Sequence, residues 1–295
     1  MALYQRILLA TDFSPHSRRA MALARTLARA SGAELHVLYV NVLSSLHTEY
    51  RGLAATDEYT RTLIAAAEET LHGIPDARRL VTRRVVRTDE SPARAILEYA
   101  GEQGADLIVV GSRGLAGIKR VLLGSVAAKV VHAATVPVLV AGQGADAADD
   151  TEEAPLRHVV AATDLSDASR PGVLHAADIA VQHGARLTVV HVLVPATVDP
   201  YDPGAPVPRT EPDRARASLA QFIAELELPV DAEQDVAIGP ADAEIAAAAV
   251  RHEADLLVVG SHGRSAVQRV LLGSVADKVV RVSACPVLVH RPRPV

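Results

Sequence analysis

Two stretches of this 295-residue chain carry residue types and spacings that could do chemistry. The first is Gly111-x2-Gly114-x9-Gly124-Ser125, and the same spacing returns as Gly260-x2-Gly263-x9-Gly273-Ser274. Each follows a valine-rich apolar run, Leu107 to Val110 and Leu256 to Val259. A buried strand that delivers its end to a glycine loop, which then feeds a helix, builds an anion site. The glycines let backbone N–H groups approach the anion, and the helix start supplies unpaired donors and a favourable dipole. Arg113, Lys119 and Arg120 add positive charge to the first loop. The competing reading is that the glycines serve tight turns and the cations form a solvated face. One loop alone would not decide between them; the duplicated spacing favours the anion site. Asp12 and Asp164 end the first apolar run of each half, and a serine follows each by two residues. They read as ligand contacts, with helix capping as the alternative.

Other phosphate and catalytic patterns are missing. Neither loop has the lysine of a G-x4-G-K-[ST] loop, and no G-x-G-x-x-G follows a first strand. No G-x-S-x-G elbow is present. The 12 histidines are scattered in sequence, without the close pairs and carboxylates of a zinc site, so they read as surface or core polar groups. Cys285, the only cysteine, precedes Pro286 at a strand start and reads as packing. No residue is assigned a catalytic role and no metal ligand is assigned.

The elements that position these residues read as one unit written twice. In the first, Arg6–Thr11 is a strand, Ser14 an N-cap, Pro15 the first helical position and Gly32 the stop. Leu35–Val40 is a strand, 41–56 a loop, Glu58–Leu71 a helix and Leu80–Arg87 a strand. Pro92–Glu102 is a helix, Asp106–Val110 a strand, and Val136–Ala141 a closing strand after the glycine loop and its helix. The second half repeats this. Arg157–Thr163 is a strand, and the helix after it starts near Ser169 because of Pro171-Gly172. Leu187–Val192 is a strand, Pro195–Pro212 an irregular loop, Ala217–Leu226 a helix and Val236–Ile238 a strand. Asp242–His252 is a helix, Leu256–Val259 a strand and Pro286–His290 the closing strand. Strands alternating with helices give parallel β-α-β units, whose ligands bind at the carboxyl ends of the strands. Three spans follow: a domain over 1–142, an acidic linker over 143–155 and a domain over 156–295.

Composition agrees with an α/β class. Apolar residues make up 49%, chiefly Ala, Val and Leu, which suffices for two cores. Aromatics at 3% and a net charge of −5 argue against a nucleic-acid binder. No apolar run is long enough to span a membrane. With one cysteine and no signal-like start, a cytoplasmic setting is expected.

These residues resemble the universal stress protein family in its tandem form. The likeness rests on ILLATDFS and VVAATDLS at the first strands, LHVLYV and LTVVHV at the second, the two glycine loops and the PVLV closers. It implies two five-stranded parallel sheets of order 3-2-1-4-5, sandwiched by helices and paired as a pseudo-dimer through their last strands. It implies an ATP-binding regulatory protein, with Mg²⁺ accompanying the nucleotide. Ala10, Asp12 and Val40 would meet the ribose and adenine. Gly111, Ser112, Arg113, Gly114, Gly117, Gly124, Ser125 and Val126 would hold the phosphates. In the second unit Ala162, Asp164 and Val192 take the first role. Gly260, Ser261, His262, Gly263, Gly273, Ser274 and Val275 take the second. The second loop departs from the first, with Ala266 for Gly117 and His262 for Arg113. The family's G-x-P turn before the third helix finds Gly239 in the second unit but Glu90 in the first. Partners implied are adenine nucleotide, unidentified proteins and a second copy of the chain, with no nucleic acid or membrane. A nucleotide-independent scaffold and a slow ATPase remain as alternatives.

Overall fold

The structure is a computed structural model that describes residues 2–42, 54–74, 80–112, 123–142, 154–194, 210–262 and 272–292. Arg113, Gly114, Gly117, Gly263, Ala266 and most of the acidic stretch lie outside the described residues. Two compact units divide the chain, one formed up to Ala141 and one from Leu156 onward; Ala154 and Pro155 belong with the first. Thr26 Oγ1 donates to the carbonyl of Ala154 at 3.0 Å, which ties this segment to the first helix.

The first unit has strands β1 (Arg6–Thr11), β2 (Glu34–Val42), β3 (Thr82–Asp89), β4 (Leu107–Gly111) and β5 (Val138–Ala141). Its helices are α1 (Pro15–Ser31), α2 (Ala54–Gly73), α3 (Pro92–Gln103) and α4 (Ser125–Ala133). All pairings are parallel, and the order is β3-β2-β1-β4-β5. The second unit repeats it with β6 (His158–Thr163), β7 (Arg186–Leu193), β8 (Ala232–Ile238), β9 (Leu256–Gly260) and β10 (Val287–His290). Their order is β8-β7-β6-β9-β10, again parallel throughout. Its helices are α5 (Arg170–His183), α6 (Thr210–Leu226), α7 (Ala241–Arg251) and α8 (Ser274–Val282). The parallel order requires helical crossovers, and their right-handedness puts α1 and α2 on one face of the first sheet and α3 and α4 on the other.

Apolar runs explain the central strands. Ile7, Leu8, Leu9, Leu107, Val109, Val138 and Leu139 are essentially inaccessible, as expected for strands covered on both faces. Helix α1 buries Ala20, Leu23, Ala24, Leu27 and Ala28, the stripe spaced i, i+3, i+4. Ser14 caps it by accepting from the Ser17 N–H, and Gly32 ends it at φ 65°. Below the sheets, one aspartate in each unit ties two strands together. Asp106 accepts from the N–H groups of Gln5 (2.8 Å) and Arg6 (3.2 Å). Asp255 does the same for Arg157 (2.7 Å) and His158 (3.0 Å).

The sequence-based bounds err in consistent places. Helix α6 begins at Thr210, not Ala217, because Pro212 sits in its first turn, where no N–H is needed. Strand β8 begins at Ala232, not Val236; its early residues, Ala-Glu-Gln-Asp, lack the apolar pattern of a covered strand. Helix α2 begins at Ala54, ahead of the expected Glu58. The helix carrying Pro171-Gly172 does start where expected, with Ser169 as N-cap.

Candidate functional site

The carboxyl ends of β1 and β4 lie side by side, with Ala10 in register with Val110. Just beyond β1 the chain makes a turn with unusual backbone. Phe13 has φ 61° and Leu165, its counterpart, φ 63°. Non-glycine residues rarely adopt this region, and such conformations concentrate at functional turns. The turn is fixed from both sides. Asp12 Oδ1 accepts from the Ser14 N–H at 3.1 Å, and Thr11 Oγ1 accepts from the Phe13 N–H at 3.1 Å. In the second unit Asp164 Oδ1 accepts from the Ser166 N–H at 3.1 Å, and Thr163 Oγ1 from the Leu165 N–H at 3.0 Å. Each aspartate thus shapes its turn with one oxygen, the capping alternative in part. Asp12, Asp164, Ala10, Ala162, Val40 and Val192 are all half-buried at strand ends, as the walls of a crevice would be.

The glycine loops leave from the neighbouring strand. Gly111 ends β4, and the Ser112 N–H donates to the Ala141 carbonyl at 3.1 Å. The Gly124 N–H then donates back to the Ser112 carbonyl at 2.8 Å, so the two ends of the loop are joined at its stem. The second unit repeats both bonds: Ser261 to His290 at 2.9 Å and Gly273 to Ser261 at 2.7 Å. A Cβ on Gly273 would stand 3.2 Å from the Ser261 carbonyl oxygen, which limits what can occupy that position. Gly124 and Gly273 are the N-caps of α4 and α8, and neither helix start has a side-chain cap among the described residues. The N–H groups of Ser125 and Val126, and of Ser274 and Val275, therefore start helices with no side chain spending their donors. Ser112 Oγ is buried without a hydrogen-bond partner among the described residues. Uncapped donors beside a buried orphan hydroxyl fit a phosphate-bearing ligand.

Differences between the units lie around this frame. Gly239 takes φ 151° in the turn before α7, a conformation that favours glycine. The first unit, with Glu90 there, uses Asp89 instead: its Oδ1 accepts from the Ser91 N–H at 2.7 Å and from Arg94 at 2.8 Å. Those bonds hold the Asp89 carboxyl below its ordinary pKa. His262 Nδ1 pairs with Ser261 Oγ at 2.9 Å. His290, in register with Gly260, faces His175 with 2.8 Å between their Nδ1 atoms. Burial pushes the His290 pKa down to about 4. This pair leaves no signal in the sequence, because the two residues come from α5 and β10. It also missed Phe13 and Tyr39, whose rings stack at 4.9 Å above the β1 and β2 ends. A cavity of about 350 Å³ opens beside them, lined by Thr11, Phe13, Ser17, Arg18, Met21 and α2 residues.

Comparison with known proteins agrees with this geometry. A model of the universal stress protein family matches residues 3–142 and again 155–291. A universal stress protein of Mycolicibacterium smegmatis is 32% identical over 247 residues, covering 80% of this chain and 81% of the relative. The Bacillus subtilis universal stress protein YxiE is 34% identical over 146 residues, covering 47% of this chain and 99% of its own. In fold, the chain is similar to the crystal structure of a universal stress protein from Archaeoglobus fulgidus. That match has a TM-score of 0.69 at 22% identity and covers 97% and 98% of the two chains.

Proposed function

This chain belongs to the universal stress protein family, and from that premise we propose that it is a regulatory protein that binds adenine nucleotide, ATP with Mg²⁺, in at least one unit. The observation that carries the proposal is the stem-closed glycine loop in front of an uncapped helix, built the same way twice. Such a helix start offers N–H donors and the positive end of a dipole to phosphate oxygens. Ala10, Asp12 and Val40, half-buried at the ends of β1 and β2, would contact the ribose and base in this reading, with Ala162, Asp164 and Val192 as their counterparts in the second unit. The first site is the tighter one in this reading. Its loop carries Gly117 and Arg113 where the second carries Ala266 and His262. An arginine keeps its charge at neutral pH, whereas His262 shares its ring nitrogen with Ser261.

Calorimetric titration of the full chain with MgATP tests this. Micromolar-range binding is expected, weakened about 100-fold, or about 2.7 kcal/mol, at the altered site by Gly124→Val or Gly273→Val. Gly124→Val should remove the larger share of the heat. Absence of both heat and thermal shift at millimolar ATP overturns the proposal; a larger loss with Gly273→Val reverses the ranking.

A further inference from the structure

At the opposite end of the second sheet, far from the crevice, three side chains converge that the sequence keeps well apart. His158 opens β6, Glu233 lies near the start of β8, and His252 follows the last turn of α7. One ligating atom from each lies within 4.8 Å of the others. His158 is 2% exposed, and its Nδ1 is buried without a hydrogen-bond partner among the described residues. Its Nε2 shares a proton with Thr188 Oγ1 at 2.8 Å, and that hydroxyl lies 3.4 Å from Glu233 Oε2. The rings of His158 and His252 meet edge-on, with centroids 5.8 Å apart.

We propose that His158, Glu233 and His252 form a binding site for a Zn²⁺-class divalent cation. Two imidazoles and one carboxylate are a donor set suited to a borderline metal, and three protein ligands leave a fourth position for water. The outer shell is also in place. Asp235 Oδ2 accepts from His252 Nε2 at 2.8 Å, which fixes that ring's tautomer and leaves Nδ1 as its lone-pair nitrogen. Metal–ligand bonds of about 2.1 Å need donor atoms about 3.4 Å apart, so the cluster must tighten from its present spread. Glu233 is exposed and His252 half-buried, and both have room to make that adjustment. Arg186 opposes the metal, since its guanidinium lies 3.7 Å from Glu233 Oε1. Both partners of that pair are more than half exposed, so it is weakly held. Arg251 is occupied with Asp235 at 2.6 Å. Among the described residues the first unit has no such site: Arg6, Arg83 and Gln103 take the equivalent places and bring two positive charges.

The test uses the full chain freed of metal by chelator, then titrated with Zn²⁺ against a competing fluorescent chelator. One Zn²⁺ per chain is expected, with a rise in melting temperature. His252→Ala and Glu233→Gln should each weaken binding about tenfold or more, and Asp235→Asn by a smaller factor. His290→Ala, at the other histidine pair, should leave the stoichiometry unchanged. Circular dichroism and the metal-free melting curve establish that each variant is folded. Failure of the folded wild type to take up zinc overturns the proposal. So does binding that His252→Ala and Glu233→Gln leave intact.

Discussion

At the carboxyl ends of the strands, Gly124 and Gly273 return the same hydrogen bond to Ser112 and Ser261, and Phe13 and Leu165 share one strained turn. At the amino ends, Asp106 and Asp255 act alike, but the other described side chains around them differ. Around them the first unit sets Arg6 against Glu34 and the Gln103 carbonyl, with His36 paired to Tyr99 at 2.9 Å. The second unit sets His158, Thr188, Glu233 and His252 there instead. The difference teaches what each end is made of. The crevice is defined by main-chain donors and a backbone conformation, which many side chains permit. The amino end is defined by side chains, so a few substitutions change its chemistry from cationic to cation-binding. Burial lowers the pKa of His36 and of His158 alike, so the contrast lies in their neighbours.

The comparison breaks most visibly at His290, a crevice-end residue with no titrating counterpart: the first unit has Leu23 and Ala141 where the second has His175 and His290. The folded pKa of His290 lies below its ordinary value of 6.5, near 4, because it is buried. The unfolded chain therefore takes up a proton first. The stabilisation is full above pH 6.5 and is lost as pH falls toward about 4. The linkage amounts to about 3 kcal/mol. Urea titrations across that window should show wild type weakening more than the double variant His175→Leu/His290→Ala, which writes the first unit's pair into the second. Parallel pH profiles would remove His290 as the cause.

A smaller effect sharpens the likeness. Asp106→Ala and Asp255→Ala each remove two charge-assisted bonds to strand amides and should cost about 2 kcal/mol apiece. Equal losses in denaturant midpoint would show that the two anchors are equivalent in energy as well as geometry. A twofold disparity would show that the side chains around them decide.

The smallest test concerns the turn before the third helix of each unit. Gly239→Ala forces an alanine to φ 151° and should cost about 1 kcal/mol. Asp89→Ala, which removes the substitute device of the first unit, should cost about as much through its lost bond to Ser91. Glu90→Gly should change the melting temperature little. A large gain from Glu90→Gly would mean that Asp89 does not replace the glycine.

Much of this architecture was legible because it is written in contiguous runs. The β4 and β9 strands are apolar from end to end and β1 and β6 are apolar through their middles, and the glycine spacing sits directly at the ends of β4 and β9. Ser14, Pro15 and Gly32 mark α1 by capping rules alone. The amino-end cluster was illegible for a physical reason. Glu233 and Asp235 fall within the three polar residues, Glu-Gln-Asp, near the start of β8, where hydrophobic periodicity gives no sign of a strand. Only the register Thr188↔Glu233 and His158↔Arg186 carries them to His158. His158 and His252, which looked scattered in sequence, are neighbours in space, with ring centroids 5.8 Å apart. His252 was expected inside a helix, yet it is the cap that follows one, turned back toward β8.

The hydrogen bond at the stem of each glycine loop makes the loop a detachable cassette. Residues 113–123 and 262–272 are segments of equal length, each held between the same two anchor atoms. The closure of each ring is settled at its base. The entropic penalty of ring closure grows only slowly with ring length, about 0.6 kcal/mol per doubling. Exchanging or lengthening the two loops is therefore expected to leave the sheets beneath them as they are.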